Sequence, residues 1–229
     1  MVFKEELVLE FFSKIEQEIA REKIVERELK TKPMKNKTIS IIGPRRAGKT
    51  FYLFQKKKAH SGIYMDFESA EFSKAEIEDV IKIISLYERY FERKASVIYL
   101  DEIQNLKNWE RLARTLLNYG YKLYISGSSS KLLSKEIATQ LRGRSLTYLL
   151  LPFSFREFLA AKGFKIKELY TLSEIAKIKK HLKSYLDFGG FPEVVLKEEK
   201  EKILKEYLEL AFYKDFVERH KIESMEVAK

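Results

Sequence analysis

No cysteine occurs among the 229 residues, and there are only three histidines, four prolines and one tryptophan. Without a thiol the chain has no disulfide, no thiolate nucleophile and no cysteine-bound zinc. His60, His181 and His220 are scattered, which argues against a His-rich metal site. No apolar run approaches the roughly 20 residues that span a bilayer, and the N-terminus is too charged for a secretory signal. The expectation is a cytoplasmic protein with no membrane part. Asp, Asn and Gln are scarce as well, at five, four and four against 32 Lys and 29 Glu. That bias is a hyperthermophile composition and predicts a thermophile source.

Hydrophobic residues make up 45% of the chain and aromatic residues 13%, ample for a packed core. The formal net charge is +10. It divides as +1 over residues 1–38, +7 over 39–152 and +2 over 153–229, so the excess lies in the middle. Such a balance permits nucleic acid as a partner without establishing it.

Residues 6–30 carry Leu7, Phe11, Ile15, Ile19 and Ile24 at helical spacing, which predicts one amphipathic helix. A linker from Lys32-Pro33 to Lys37 follows. Five β-like runs come next, at 38–42, 62–67, 96–100, 121–126 and 145–151, separated by helical patterns such as 74–92. Strands alternating with helices predict a parallel sheet covered on both faces. From Ser154 the β signal ends, and helices are expected near 154–162, 171–187 and 198–220. The predicted division is an N-terminal helix and linker (1–37), a βα core (38–152) and a helical C-terminal lid (153–229).

Gly43-Pro44-Arg45-Arg46-Ala47-Gly48-Lys49-Thr50 matches the pattern G-x-x-x-x-G-K-[ST] at every fixed position, between an apolar strand and a helix. Glycines let the backbone curl so that successive N–H groups face a phosphate, and the following helix presents its positive end. Lys49 would reach the β- and γ-phosphates and the Thr50 hydroxyl would ligate Mg²⁺. Phe51, next in the helix, joins the nucleotide-binding set.

Val97-Ile98-Tyr99-Leu100-Asp101-Glu102 reads as a buried parallel strand ending in two acids, at the end where such sheets bind ligands. Asp101 would hold Mg²⁺ and Glu102 would polarise the attacking water. Serines follow the strand at 121–126. Ser128, rather than Ser126 or Ser129, is selected to sense the γ-phosphate, although serines there also make turns or cap helices. Arg142 and Arg144 flank Gly143 before the last strand. Either could place a guanidinium on a neighbouring protomer's nucleotide, or form an exposed basic turn or a pair with Glu136. Gly189-Gly190-Phe191-Pro192 reads on its own as a helix stop. The runs Lys56-Lys57-Lys58 and Lys177/Lys179/Lys180/Lys183 read as solvated helix faces, and Trp109 as a core or interface anchor.

Taken in order, the phosphate loop, Leu-Asp-Glu-Ile-Gln-Asn-Leu, Ser-Gly-Ser-Ser-Ser, the Gly-Arg before a strand and Leu-Pro-Phe-Ser-Phe-Arg-Glu-Phe resemble a prokaryotic AAA+-type ATPase family. That family is abundant in archaea and close to the signal-transducing ATPases with numerous domains; the resemblance covers about residues 25–195. It implies an α/β P-loop fold with a five-stranded sheet in the order 5-1-4-3-2 and a helical lid. It implies ATP and Mg²⁺ as cofactors, a homo-oligomer and a further protein partner. It extends the nucleotide set to Pro192, as the lid proline lying against the base, and offers Arg27 and Glu28 as adenine contacts. Relatives continue into a further C-terminal domain, whereas this sequence ends at Lys229, so a truncated or a short member is expected. The leading expectation is an Mg²⁺-dependent ATPase that moves a lid or subunit. The alternatives are a slow-hydrolysing ATP switch, or a nucleic-acid-associated motor or defence ATPase, which would show steep salt dependence. A phosphate-transferring kinase fits less well, since Glu102 suits water activation. No Asn-Lys-x-Asp motif marks a guanine reader.

Overall fold

The computed structural model describes residues 5–128, 137 and 139–210. They divide into two compact units, Met1–Leu151 and Pro152–Lys229.

The first unit is built on β1 (Thr38–Gly43), β2 (Gly62–Asp66), β3 (Val97–Asp101), β4 (Lys122–Ser128) and β5 (Ser145–Leu149). All are parallel, in the order β2-β3-β4-β1-β5, which is the expected order read from the other edge. Around them lie α1 (Glu5–Arg21), α2 (Lys49–Ala59), α3 (Ile77–Tyr90) and α4 (Trp109–Asn118). Alternate residues of each strand feed opposite faces. Ile63, Met65, Ile98, Leu100, Leu123 and Ile125 pack in the larger core with α3, α4 and the start of α1. Ile39, Ile41, Tyr64, Tyr99 and Tyr124 pack in the other, against α2 and the end of α1. Burial on both faces explains why the strands read as apolar runs. Tyr64, Tyr99 and Tyr124 are register partners across three strands, so a row of phenols lies on the α2 face.

Two expectations change here. The first helix stops at Arg21 instead of continuing to residue 30. Beyond it the chain runs irregularly along α2, whose side chains satisfy its backbone: Lys58 Nζ donates to Glu22 O, Tyr52 Oη to Leu29 O and Lys56 Nζ to Thr31 O. Tertiary partners thus replace the intrahelical bonds that the apolar periodicity running on to Ile24 suggested. Within α1 the inward stripe is Val8, Phe12, Ile15 and Ile19, while Leu7 is 54% exposed. The second change concerns α2. Lys56 and Lys57 are buried, not solvated. Lys57 Nζ meets Glu16 Oε1 of α1 at 2.5 Å, and Lys56 also lies over the Tyr52 ring. Trp109 is buried in the core, as read.

The second unit contains α5 (Phe155–Ala161), α6 (Leu172–Phe188), α7 (Pro192–Leu196) and α8 (Lys200–Leu210). Ser154 and Thr171 cap α5 and α6 in capping boxes with Glu157 and Glu174. Gly189, at φ 73°, ends α6, and Pro192 opens α7 as its first residue, so the Gly-Gly-Phe-Pro run does act as a helix stop and restart. Gly190 lies so close to the Phe153 carbonyl that any side chain would collide with it. None of the described helices is long and apolar enough to cross a membrane.

Candidate functional site

The C-terminal ends of β1, β3 and β4 converge where β1 passes into α2. Residues 44–48 form the turn between them, with Arg46 at φ 63° and Gly48 at φ 90°. Only glycine adopts the latter without strain. Gly43 approaches the Leu150 carbonyl so closely that no side chain fits there either.

Lys49 is the first residue of α2 and is 5% exposed. Its ammonium donates to Gly43 O and Pro44 O, each at 3.2 Å, and stands 3.8 Å from Glu102 Oε1. Burial pushes its pKa down, opposed by the charges of Glu102 and Asp101. Asp101 is 1% exposed and receives hydroxyl bonds from Ser126 on Oδ1, from Tyr64 on Oδ2 at 2.8 Å, and from Thr50. Burial nevertheless holds its pKa above the usual carboxylate range. Glu102 leaves β3 at φ 47°, an unusual conformation for a residue with a side chain. Its N–H donates to Ser126 Oγ at 3.1 Å, and its Oε2 accepts from Gln104 Nε2 at 2.5 Å.

Three residues that the sequence reading did not assign complete this cluster. Tyr64 and Ser126 hold the Asp101 carboxylate. Asp66, the last residue of β2, is the register partner of Asp101. Burial first, then the neighbouring acids, push its pKa up to about 6, against the N–H of Glu68 that donates to it at 2.8 Å. Asp66 repeats the pattern of Asp101, an apolar strand ending in an acid, and was legible on those grounds. Ser126, weighed only as a substitute for Ser128, is among the described residues the serine whose hydroxyl touches the acids. Ser128 ends β4 opposite Gly43 in register, and its side chain lies outside the described residues, as does Glu136.

Arg142 and Arg144 precede β5, at the N-terminal end of the sheet, where Thr38 N–H donates to Arg144 O at 2.9 Å. β1 separates them from the phosphate loop by about 16 Å, at roughly 3.3 Å per residue. Arg144 donates to Asn118 Oδ1 at 2.9 Å, and Arg142 is exposed. Phe51 is 44% exposed on α2, Glu28 is exposed, and Pro192 belongs to the second unit. Arg27 is buried beside the loop, donating to Ala47 O at 2.9 Å.

The cluster suits a phosphate and a hard cation. Arg45 Nε, in the loop, is buried and makes no hydrogen bond among the described residues, an unused donor of the kind a phosphate oxygen would satisfy. Among the described residues no group of three or more His, Cys, Asp or Glu could by itself hold a metal. One carboxylate beside a threonine hydroxyl matches Mg²⁺ held jointly by protein and phosphates.

A parallel β2-β3-β4-β1-β5 sheet, with a glycine-bearing loop and lysine after β1 and an acid pair at the end of β3, two strands away, defines a P-loop fold. The chain belongs to the AAA domain family, whose sequence model matches residues 35–159. It is 40% identical over 219 residues to an uncharacterized protein of Methanocaldococcus jannaschii, covering 93% of this chain and 49% of that one. It is 30% identical over 202 residues to an uncharacterized protein of Haemophilus influenzae, covering 82% and 48%. The chain thus spans about half the length of these curated relatives. Among solved structures, a Walker-type ATPase of Pyrococcus abyssi aligns over 96% of this chain and 75% of its own, at 14% identity and TM-score 0.45.

Proposed function

We propose that the chain binds ATP with Mg²⁺ and hydrolyses it. The observation that carries this reading is the convergence of Lys49, Thr50, Asp101 and Glu102, drawn from α2 and β3, at the C-terminal edge of the sheet. Loop N–H groups and Lys49 would bind the β- and γ-phosphates, with Arg45 as an added donor. Thr50 and Asp101 would hold Mg²⁺, which when bound neutralises charge on the phosphates. Ser126 and Tyr64 keep the Asp101 carboxylate oriented. Glu102 would accept a proton from the water whose oxygen forms a new bond to the γ-phosphorus as the bond to ADP breaks.

One observation favours the slow-switch form of this activity. Both oxygens of Glu102 are engaged, Oε1 near Lys49 and Oε2 by Gln104, so it must let go of a partner before it can serve as a base. A lid movement of the second unit, with Pro192 against the base, and a trans role for Arg142 or Arg144 in a cytoplasmic homo-oligomer complete the proposal. The sequence favours no particular protein or nucleic-acid partner. The test is Mg·ATP binding and turnover by the wild type and Lys49→Ala. Loss of binding in the variant is expected; unchanged ATP affinity would overturn the site assignment.

A further inference from the structure

Arg27 lies in the irregular stretch between α1 and β1 and is 5% exposed. Its guanidinium is shared between two main-chain carbonyls. One terminal nitrogen donates to Ala47 O at 2.9 Å, and the other to Leu151 O at 2.5 Å. Its own N–H donates to Gln55 Oε1 on α2 at 3.1 Å. Ala47 is fully buried and immediately precedes Gly48-Lys49, while Leu151 follows Leu150, against which Gly43 packs. The fork therefore ties the phosphate loop to the chain just after β5, through residues 20 and 124 positions away in sequence.

The bond to Ala47 O has a consequence for the next residue. The Ala47 carbonyl and the Gly48 N–H belong to one peptide plane, and in a trans peptide they point in opposite directions. Holding the carbonyl toward Arg27 aims the N–H away from it. This plane needs holding, because Gly48 at φ 90° has no side chain to resist rotation of the peptide before it. In a loop of this kind the N–H groups are the anion donors. A lysine in place of Arg27 would offer one point charge where the fork serves two carbonyls at once.

We propose that Arg27 is a positioning residue for the phosphate-binding loop: it locks the Ala47–Gly48 peptide so that the Gly48 N–H is presented to phosphate. This rests on the nucleotide reading above and replaces the expected adenine contact. Arg27 acts through the loop, so its effect depends on the phosphates of the ligand and not on its base.

The test compares ATP with inorganic tripolyphosphate, which has no base, at one fixed Mg²⁺ concentration. Calorimetric affinities are measured for the wild type, Arg27→Gln and Arg27→Lys. Glu16→Gln, which loosens α1 from α2 away from the loop, reports what lost stability alone does. Arg27→Gln is expected to weaken both ligands by the same factor, about tenfold or more, equivalent to about 1.4 kcal/mol per tenfold. Arg27→Lys should recover part of that loss, and Glu16→Gln should bind both ligands as the wild type does. If Arg27→Gln does not fold, the loss in Arg27→Lys relative to the wild type carries the same comparison. A loss confined to ATP would return Arg27 to the base. Unchanged affinities, or losses matched by Glu16→Gln at equal melting temperature, would leave it a structural residue only. Failure of the wild type to bind either ligand would overturn the nucleotide reading itself, a result distinct from wild-type binding that Arg27 does not affect.

Discussion

Lys49 Nζ stands 3.8 Å from Glu102 Oε1, with the lysine side chain 5% exposed and the glutamate 17%. The cation proposed to bind phosphate and the acid proposed to activate water therefore face each other across the site, and each limits what the other can do. Lys49 also donates to the carbonyls of its own loop, so phosphate binding would redirect it. Glu102 would then be held chiefly by Gln104.

Two substitutions separate these roles. Glu102→Gln should keep ATP affinity within about threefold while lowering turnover by about 10²–10⁴, the usual worth of a general base. Gln104→Leu should raise turnover by about tenfold, matching a released hydrogen bond to a charged group of about 1.4 kcal/mol. The stability loss in Gln104→Leu should be small, because Gln104 Oε1 is buried without a hydrogen-bond partner among the described residues. Single-turnover rates with prebound Mg·ATP measure both. Unaltered turnover in Gln104→Leu would mean that this bond does not restrain the base.

Asp66 supplies a pH dependence. Its carboxyl has an ordinary value of 3.8 and is pushed up to about 6 by burial and by neighbouring acids. Between those values the folded protein binds more protons than the unfolded chain, so stability falls as pH rises through the window and levels off above it. Asp101, raised for the same leading reason, adds a slope of the same sign. Asp66→Asn should flatten the fall between pH 4 and 6 and leave the apo protein more stable than wild type at pH 7.5. Denaturant titrations at several pH values check this, and parallel stability–pH curves for the two proteins would exclude Asp66 as the source.

Much of this site was legible from spacing alone. Gly43 to Thr50 and the strand ending in Asp101-Glu102 each carry a fixed pattern within a few residues, and the strand order followed from the family resemblance. What stayed hidden depends on distant partners. Helix periodicity continues to Ile24, yet the carbonyls of Glu22, Leu29 and Thr31 are taken by side chains of α2 more than 20 residues away. The same packing buries Lys56 and Lys57, which composition alone places in water. The family resemblance offers Arg27 as a base contact, and nothing local shows that Ala47 and Leu151 share its guanidinium.

The pair between Glu16 and Lys57 tests how firmly α1 is fastened. Lys57 is 4% exposed in its side chain and Glu16 35%, and burial, aided by the Arg93 charge, pushes the Lys57 pKa down against the hydrogen bond and charge of Glu16. Glu16→Ala leaves that ammonium buried without its carboxylate. The expected loss is about 2 kcal/mol, less than the 3–5 kcal/mol of a fully buried pair because Glu16 is partly solvated. Glu16→Leu combined with Lys57→Met should recover most of it, since an apolar pair carries no desolvation penalty. Denaturant midpoints at constant slope measure both, and a loss in the double variant equal to that of the single one would assign the effect to packing instead of charge.

Arg142 and Arg144 stand at the opposite end of β1 from Lys49, so neither can reach phosphates bound at the loop of the same chain without unpairing β5 from β1. If either acts on a nucleotide, it must be one bound to another subunit, and the two halves of the machinery can then be inactivated on different chains. Lys49→Ala and the Arg142→Ala/Arg144→Ala double variant should each be inactive alone. Mixed in equal amounts, they should recover turnover, because the lysine-bearing site of one subunit meets the arginines of the other. Arginine fingers are worth about 10³–10⁵ in rate, so even a small share of mixed pairs would stand above background. Retained turnover in the double arginine variant, or mixtures as inactive as their components at concentrations where the wild type is active, would confine these arginines to the Asn118 contact and the β5 turn.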